Sequence, residues 1–286
     1  MPPGNTGLGE ETILRLSSHN PSRIYLAART ESKAEAAIER IKAKVPNAPV
    51  SFVQCDLTSF PSIKACAREF VSKETRLDLL FLNAGVMALP AGLTEQNYEI
   101  QFGTNHMGHA LLTKLLLPTL LKTAALKDSD VRIITVASIG HMLAPFRGIA
   151  FKDLKTDMRS YLTSARYGQS KLANILYTKE LQKRYGEKGI KAVAVHPGVV
   201  GTNLYESIGR RFWGLNRLIG LVCTTVDNGA KNQLWAATAE KSSVKGGEYY
   251  TPVGLAGQGG RATENKALGE ELWEWTEKEL EDWKLE

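Results

Sequence analysis

Short apolar runs alternate along the chain with longer segments in which apolar residues recur at helical spacing. The short runs are near-continuously apolar or β-branched, which is typical of strands covered on both faces of a parallel sheet. The predicted strands are Arg23–Arg29, Val50–Cys55, Leu77–Leu82, Val131–Ala137, Lys191–His196 and Gly247–Tyr250. The predicted helices are Ser32–Lys44, Ser62–Ser72, Thr94–Lys122, Tyr161–Tyr185, Asp227–Ala239 and Asn265–Trp283. This alternation predicts an α/β fold with a doubly wound parallel sheet.

Length and composition agree with one domain over residues 1–286. Hydrophobic residues make up 43% of the chain and charged residues 23%, which is ordinary for a globular protein with a sizeable core. The net charge is +6, but lysines alternate with acids, as in Lys152–Asp153–Leu154–Lys155. This pattern disfavours nucleic-acid binding and favours a mildly basic surface that attracts an anionic cofactor.

The three cysteines indicate the compartment in which we expect the protein. Cys55, Cys66 and Cys223 have neither metal-ligand spacing nor a disulfide framework, so we expect core thiols in a reducing environment and no metal. No run approaches the roughly 18 apolar residues of a membrane span, and the N-terminus lacks a signal-peptide pattern. We therefore expect a cytoplasmic protein.

A glycine-rich turn lies near the start of the chain, at Gly4–Gly9, and feeds a helix predicted to begin near Glu10. Such a turn lets backbone N–H groups approach a pyrophosphate at a helix N-terminus. The strand that follows ends at Arg29, where an NAD-preferring site would usually place an acid. Arg29 offers a fork of donors to a 2′-phosphate instead, which favours NADP over NAD.

Only Met1, Pro2 and Pro3 precede this turn. In a dinucleotide-binding sheet the turn leaves the carboxyl end of the first, central strand, and two prolines donate no ladder hydrogen bonds. We therefore expect that strand to be missing or incomplete. Each buried backbone group left unpaired costs about 1–3 kcal/mol. We expect the chain as written to fold poorly and to bind NADPH weakly.

The strongest chemical pattern is Tyr167-Gly168-Gln169-Ser170-Lys171, which places a tyrosine and a lysine on one helix face. Lowering a phenol pKa from about 10 to about 7 takes roughly 4 kcal/mol, which a nearby ammonium can supply in a desolvated site. Such pairs are also common on solvated helix surfaces. Ser138 favours the catalytic interpretation, because it ends a strand where ligands bind. Asn105, a poor helix former in mid-helix, suggests a local kink with a bound water.

Two further strand ends carry candidate ligand contacts. Asp56-Leu57 and Asn83-Ala84-Gly85 each follow a predicted strand, at the edge of the sheet where ligands bind. A helix N-cap for Asp56 and a tight turn for Asn83-Ala84-Gly85 are the structural alternatives.

Together these residues resemble the short-chain dehydrogenase/reductase family, in the retinol-dehydrogenase-like branch that includes fungal-type carbonyl reductases. The resemblance spans nearly the whole chain and departs only where Pro2 and Pro3 replace the threonine and first glycine of the family's opening turn. It is carried by Asn5-Thr6-Gly7-Leu8-Gly9, Asp56-Leu57, Asn83-Ala84-Gly85, Asn105, Ser138, Tyr167, Lys171, Pro197-Gly198 and Thr202.

The resemblance implies a single Rossmann-type domain and an NADP(H)-dependent oxidoreductase that interconverts an alcohol and a carbonyl. Tyr167 would be the general acid or base, tuned by Lys171, while Ser138 would position the substrate oxygen. Asn105 would anchor a water that links Lys171 to solvent. The expected cofactor-binding residues are Asn5, Thr6, Gly7, Leu8, Gly9, Arg29, Asp56, Leu57, Asn83, Ala84, Gly85, Tyr167, Lys171, Pro197, Gly198, Val200 and Thr202.

The segment at about 203–226 is predicted to be a lid over an apolar substrate. A basic amphipathic helix at a membrane surface and a helix that covers the core are the alternatives. We expect a lipophilic or secondary-metabolite carbonyl as substrate. A non-catalytic binding or regulatory role is the alternative function, since the missing strand would impair the cofactor site. Homo-oligomers could form through the helices around Asn105 and Tyr167.

Overall fold

The strands form two separate sheets in the computed structural model, which describes residues 4–200 and 224–285. The first sheet pairs β1 (Ile24–Ala28) with β2 (Val50–Gln54) in parallel. The second contains, in spatial order, β3 (Leu79–Leu82), β4 (Val131–Val136), β5 (Ile190–Val195), β6 (Tyr249–Thr251) and β7 (Leu255–Ala256). Its pairs are parallel except β6 with β7. The predicted α/β fold class and the six predicted strands are confirmed, whereas β7 was not foreseen.

The helices connect these strands, and most lie where the periodicity predicts them. The first begins at Gly7, three residues before the predicted start, and the last ends at Glu279 instead of Trp283. No helix within the described ranges is long and apolar enough to cross a bilayer. The α-helices of the described residues are, in chain order, α1 (Gly7–Ser17), α2 (Glu31–Lys44), α3 (Phe60–Lys73), α4 (Ile100–Phe102), α5 (Gly108–Ala124), α6 (Thr163–Tyr185), α7 (Val226–Thr238) and α8 (Lys266–Glu279).

Strand β4 shows why the apolar runs are continuous. All six of its residues are buried, because consecutive side chains point to opposite faces and both faces are covered. Val131 and Ile133 join the core layer formed with α3, α5, α6 and α8. Ile134 and Val136 join the opposite layer, where α7 packs.

A gap separates the two sheets, between β1 and β3. It contains a cavity of about 620 Å³ that both strands line, and no strand among the described residues fills it. At its upper end the Gly4 N–H donates to Ala27 O at 3.2 Å. The gap agrees with the expectation of a missing or incomplete central strand, and the expected effects on folding and NADPH binding stay predictions.

The predicted helix Thr94–Lys122 is wrong at its start. Residues 94–99 form a turn closed by a bridge between Leu93 and Glu99, and the helix begins at Ile100. The Glu99 carboxylate accepts hydrogen bonds from the N–H groups of Gln101 and Phe102, which fixes that start. Gly103–Met107 then forms a π-helical turn before α5. The kink predicted at Asn105 is confirmed as this wider turn, while the bound water stays a prediction.

Helix α8 covers α5 and α6 on their outer side. The Trp273 ring stacks on Tyr177 with centroids 5.0 Å apart, and Lys114 Nζ of α5 lies 2.9 Å from Glu277 Oε2. Thr276 Oγ1 lies 3.0 Å from His106 Nε2 in the π turn. These contacts occupy one side of α5 and α6 within the chain, and the expected pairing of subunits stays a prediction.

Candidate active site

The candidate site lies beyond the carboxyl ends of β3, β4 and β5. Asn83, Ser138 and Pro197 each follow one of these parallel strands by one or two residues. Ligands bind outside this edge in open α/β sheets, because the connecting loops diverge there and leave a crevice. The topology therefore brings residues from three distant segments of the chain to one place.

Ser138 leaves β4 in an extended conformation and caps a short 3₁₀ helix, Ile139–Leu143. Its Oγ accepts a hydrogen bond from the Gly140 N–H at 3.0 Å. His141 fixes the same loop, since Nδ1 lies 2.8 Å from Ser138 O and Nε2 lies 2.8 Å from Gly259 O. Both nitrogens of this buried imidazole thus have partners, which leaves His141 a structural role.

Gly140 separates the Ser138 hydroxyl from the Tyr167 ring. A Cβ atom built at Gly140 would lie 2.7 Å from Tyr167 Cε1 and 3.3 Å from Ser138 Oγ. Tyr167 itself is buried in α6, 6% exposed. The hydroxyl and the phenol ring are therefore near neighbours, and a glycine is needed between them because no side chain fits.

Lys171 lies one helical turn after Tyr167, with Nζ 5.8 Å from the centroid of that ring. Its Nζ donates to Val136 O at 2.9 Å, and the side chain is buried. Burial lowers the pKa of Lys171 to about 8, because the ammonium loses its hydration. Gly85 makes room for it, since a Cβ there would lie 3.2 Å from Nζ.

Asn105 joins the loop after β3 to the helix that carries Tyr167. Its Oδ1 accepts from Val86 N at 2.7 Å, and its Nδ2 donates to Val86 O at 3.0 Å. The same Nδ2 donates to Ser170 Oγ at 2.9 Å, and that hydroxyl donates to Tyr167 O at 2.7 Å. The π turn directs the amide into this network, which a continuous α-helix would rotate away.

A buried ion pair next to Tyr167 was not foreseen from the sequence. Arg166 Nη1 lies 2.9 Å from Glu99 Oε1, and the two side chains are 4% and 0% exposed. Arg166 Nη2 also donates to Leu89 O at 3.0 Å. The pair fixes the start of α6 to the turn before α4. The two residues are 67 positions apart, and no local pattern connects them.

The glycine turn ends at α1, whose N-terminus is held against α7. Gly7 has a φ of +53°, a conformation that favours glycine. Leu8 packs closely on Gly229, where a Cβ would lie 2.8 Å from Leu8 Cδ2. Gln233 Nε2 donates to Leu8 O at 3.3 Å, a contact that sequence reasoning missed. The first turn of α1 thus presents its free N–H groups from a fixed position, with Asn5 and Thr6 before it and Gly9 within it.

The other expected cofactor residues lie at strand ends, in different surroundings. Arg29 is exposed just after β1, and Asn83, Ala84 and Gly85 follow β3. The Asp56 carboxylate accepts from Thr58 N at 2.9 Å, so it closes a turn, and Ser59 rather than Asp56 occupies the N-cap position of α3, without a side-chain capping bond. Leu57 is buried in the core.

The chain turns sharply after β5. Gly198 has a φ of +85°, and Val200 is buried and bridged to Thr224. Pro197 precedes this turn, half-buried. Thr202 and most of the predicted lid at 203–226 lie outside the described residues, as does Cys223; Cys55 and Cys66 are buried free thiols.

These surroundings fit a dinucleotide. The free N–H groups of α1 suit a pyrophosphate, and Arg29 suits a phosphate or the edge of an adenine ribose. Gly85 and Gly140 let the backbone pack directly against Lys171 and Tyr167, because a Cβ at either position would crowd those side chains. The N–H groups at the start of α1 and the guanidinium after β1 belong to elements that contacts with α7 and β2 hold in place.

Replacing Lys171 by Met should change the pH dependence of stability. The folded pKa of about 8 lies below the ordinary value of 10.5, so burying the charge destabilises the fold below pH 8, and this penalty fades as the pH rises to 10.5. The free energy of unfolding of the variant should therefore exceed that of the parent by about 2 kcal/mol more at pH 7 than at pH 10, so the variant gains stability at the lower pH. Urea titrations at both pH values measure this difference, with the exposed Lys33→Met as control. An equal effect at both pH values would contradict the burial of a charge.

Comparison with known proteins assigns the chain to a family. The family described as short chain dehydrogenase matches residues 3–151. A relative from Aspergillus calidoustus, the short-chain dehydrogenase/reductase drtF, is 40% identical over 97% of this chain and 91% of its own. Retinol dehydrogenase 12 from Mus musculus is 37% identical over 94% of this chain and 81% of its own.

Solved structures share the fold. A structure of an uncharacterized protein from Mycobacterium Paratuberculosis is 31% identical, with a TM-score of 0.71 over 96% of this chain and 89% of that one. The NADPH-bound carbonyl reductase from chicken fatty liver is 23% identical, with a TM-score of 0.63 over 86% of this chain and 92% of that one, a likeness of fold alone. The chain belongs to the short-chain dehydrogenase/reductase family, in its retinol-dehydrogenase-like branch, and is an oxidoreductase of the kind that acts on CH–OH groups with NAD(P).

Proposed function

We propose that the protein interconverts an alcohol and a carbonyl on a small lipophilic or secondary-metabolite substrate, with NADP(H) as its cofactor. The observation that carries this proposal is the gathering of three groups at the carboxyl end of β4. The Ser138 hydroxyl and the Tyr167 ring flank Gly140, and the buried Lys171 ammonium lies one helical turn behind the ring. A hydroxyl, a phenol and a buried cation in this order suit proton transfer to a substrate oxygen.

The protein's own residues would manage that oxygen and its proton. In reduction, Ser138 donates a hydrogen bond to the carbonyl oxygen, and Tyr167 donates a proton as negative charge develops there. Lys171 stabilises the phenolate that remains, because its charge is poorly screened in a buried site. In oxidation the phenolate takes the proton back. When bound, the nicotinamide supplies or accepts the hydride.

Arg29 supports NADP(H) over NAD(H). Its guanidinium lies exposed at the end of β1, on the strand that the glycine turn already contacts through Gly4. A planar fork of N–H donors matches a phosphate, whereas an acid at this place would repel one.

Exposed apolar side chains beside Ser138 support a lipophilic substrate. The loop after Ser138 carries Met142, Leu143 and Phe146, all largely or fully exposed, and Leu162 just before α6 is 77% exposed. Large exposed apolar side chains close to a candidate site suit contact with an apolar ligand. The retinol dehydrogenase among the relatives is named for an alcohol substrate, which supports the same class. The buried thiols Cys55 and Cys66 suit a reducing compartment such as the cytoplasm.

A non-catalytic binding role is the second candidate. The gap between β1 and β3 favours it, because the strand beside the glycine turn would otherwise fix the cofactor site. The intact arrangement of Ser138, Tyr167 and Lys171 favours catalysis instead. Turnover decides between the two.

Substituting Tyr167→Phe should lower kcat for a lipophilic carbonyl by at least about 100-fold, because the proton donor is removed while the ring remains. The assay is NADPH oxidation with a panel of aliphatic and aromatic ketones and aldehydes, repeated with NADH. The circular dichroism spectrum is the fold control and should stay unchanged, and the Kd for NADPH is measured in parallel so that weaker cofactor binding is separated from loss of the proton donor. Absence of turnover in the parent with every carbonyl, despite NADPH binding, would support the non-catalytic role.

Substituting Gly140→Ala should lower kcat by at least about tenfold, because the new methyl group would overlap Tyr167 Cε1 and push the ring away from Ser138. The matched control is Gly92→Ala, where the nearest atom to a new Cβ is 4.0 Å away. Steady-state kinetics on the best substrate of the panel measures both variants. Equal kcat values for the two would refute the assigned closeness of Ser138 and Tyr167.

Substituting Arg29→Asp should raise KM for NADPH by about tenfold or more and leave KM for NADH nearly unchanged, since a carboxylate repels the 2′-phosphate. Lys44→Asp, at the far end of α2, makes the same change of charge and is the control. A similar rise in KM for both cofactors in the Arg29 variant would contradict a role in cofactor preference.

A further inference from the structure

The two contacts of the His141 ring determine how many protons it carries. Nδ1 lies 2.8 Å from the Ser138 carbonyl oxygen, and Nε2 lies 2.8 Å from the Gly259 carbonyl oxygen. A carbonyl oxygen can only accept a hydrogen bond, so both ring nitrogens face acceptors. A neutral imidazole has one N–H donor and one bare nitrogen, whereas an imidazolium has two donors. The two contacts together therefore require the charged ring.

A neutral His141 would be unfavourable in either tautomer. One nitrogen lone pair would then lie 2.8 Å from the lone pairs of a carbonyl oxygen, which is a repulsive contact. The side chain is 1% exposed, so bulk solvent does not separate or screen the two atoms. The second ring proton removes this repulsion and supplies the missing hydrogen bond.

Both carbonyl groups are held in place by other contacts. The Ser138 oxygen also accepts from the backbone N–H of His141 at 3.1 Å. Gly259 is buried, and Thr263 Oγ1 donates to the next carbonyl oxygen, that of Gly260, at 2.9 Å. The backbone therefore sets the positions of the two acceptors, and the ring between them has to supply two donors.

The neighbouring aromatic side chains suit a cation at His141. His196 follows β5, and its pKa is lowered to about 4, chiefly because burial removes its hydration and also because of positive charge at His141 and Lys171. The Nδ1 atom of His196 has no hydrogen-bond partner among the residues that the structure describes, which suits a neutral ring. Tyr249 of β6 meets His141 with ring centroids 5.3 Å apart, within the range at which an aromatic ring attracts a cation.

Carbonyl dipoles balance the charge of this ring. Other ionisable groups on the elements around it are Tyr167 and Lys171 of α6, and Arg261, which follows Gly259 by two residues. Glu264, on the same 3₁₀ turn as Arg261, is paired with Lys179 at 2.9 Å. The two hydrogen bonds to carbonyl oxygens are therefore charge-assisted, and such bonds are stronger than those of a neutral donor.

We propose that His141 is an imidazolium at neutral pH and that its two N–H groups clamp the loop of Ser138 to the loop of Gly259. The consequence for turnover rests on the proposed function: the clamp fixes the main chain of Ser138, and hence its hydroxyl, beside the Tyr167 ring. His141 is thus a positioning residue. The Gly259 loop follows β7, so one protonated side chain joins the candidate site to the edge strand of the second sheet.

The number of ring protons is measured by long-range ¹H–¹⁵N correlation of the histidine side chains at pH 7.5, where about nine in ten free histidines are neutral. His141 should show two protonated nitrogens, whereas His196 should show one. The signal that is lost in His141→Gln belongs to His141. Where that variant does not fold, neutron diffraction from crystals of the parent locates the ring hydrogens directly. A single protonated nitrogen in His141, or a ring turned so that its carbon atoms face the two carbonyls, would overturn the proposal.

The clamp is tested separately, through turnover. His141→Phe keeps an aromatic ring without donors and should lower kcat for the best carbonyl substrate at least about tenfold, because Ser138 is misplaced. His141→Lys retains a cation with several N–H donors and should restore kcat to within about threefold of the parent. The change to Phe at the exposed His19 is the matched control and should leave kcat unchanged.

Two kinetic results would overturn the clamp. One is an equal kcat in the parent and in His141→Phe, and the other is an equal loss in the Phe and Lys variants, since the charge would then be immaterial. A parent that shows two protons on the His141 ring but no turnover with any carbonyl would count against the proposed function and leave the imidazolium established.

Discussion

The burial of one ammonium group is the constraint on which the rest of the site depends. Lys171 is removed from water, and within the described contacts its Nζ donates to the carbonyl oxygen of Val136 at the end of β4. A buried cation is unfavourable unless groups around it compensate, so the surrounding structure must hold it in place beside the Tyr167 ring. With a pKa of about 8, Lys171 keeps most of its charge at neutral pH and loses it over the next one to two pH units.

Two glycines next to this cation matter because they carry no side chain. Gly85 lies against Lys171 and Gly140 lies against Tyr167, and a methyl group at either position would crowd its neighbour. Asn105 and the ion pair of Arg166 with Glu99 then hold α6 to the loops after β3. Helix α6 is thus fixed by contacts with elements distant in sequence, the loop after β3 and the turn before α4.

The sequence predicts what local patterns determine. Continuous apolar runs located six strands, and the spacing of Tyr167, Lys171 and Ser138 located the candidate chemistry, because a helical turn and a strand end are local features. The start of the helix at Ile100 was missed because the Glu99 carboxylate, not the hydrophobic periodicity, sets it. The pairing of Arg166 with Glu99 was missed because 67 residues separate them and only the tertiary fold brings them together. Strand β7 is two exposed residues long, too short for a periodic pattern.

The packing of α8 has a consequence for how the enzyme can vary. Trp273 of α8 packs on Tyr177 of α6, and Thr276 of α8 lies against His106 of the π turn, so α8 contacts both elements that support the candidate site. Changes that alter the tilt of α8 would shift α6 and the π turn, and with them Tyr167 and Lys171, without any contact to the substrate. Selection for a new substrate could therefore act through this remote helix as readily as through the loops at the crevice, which makes it a natural place to look for distant mutations that tune activity.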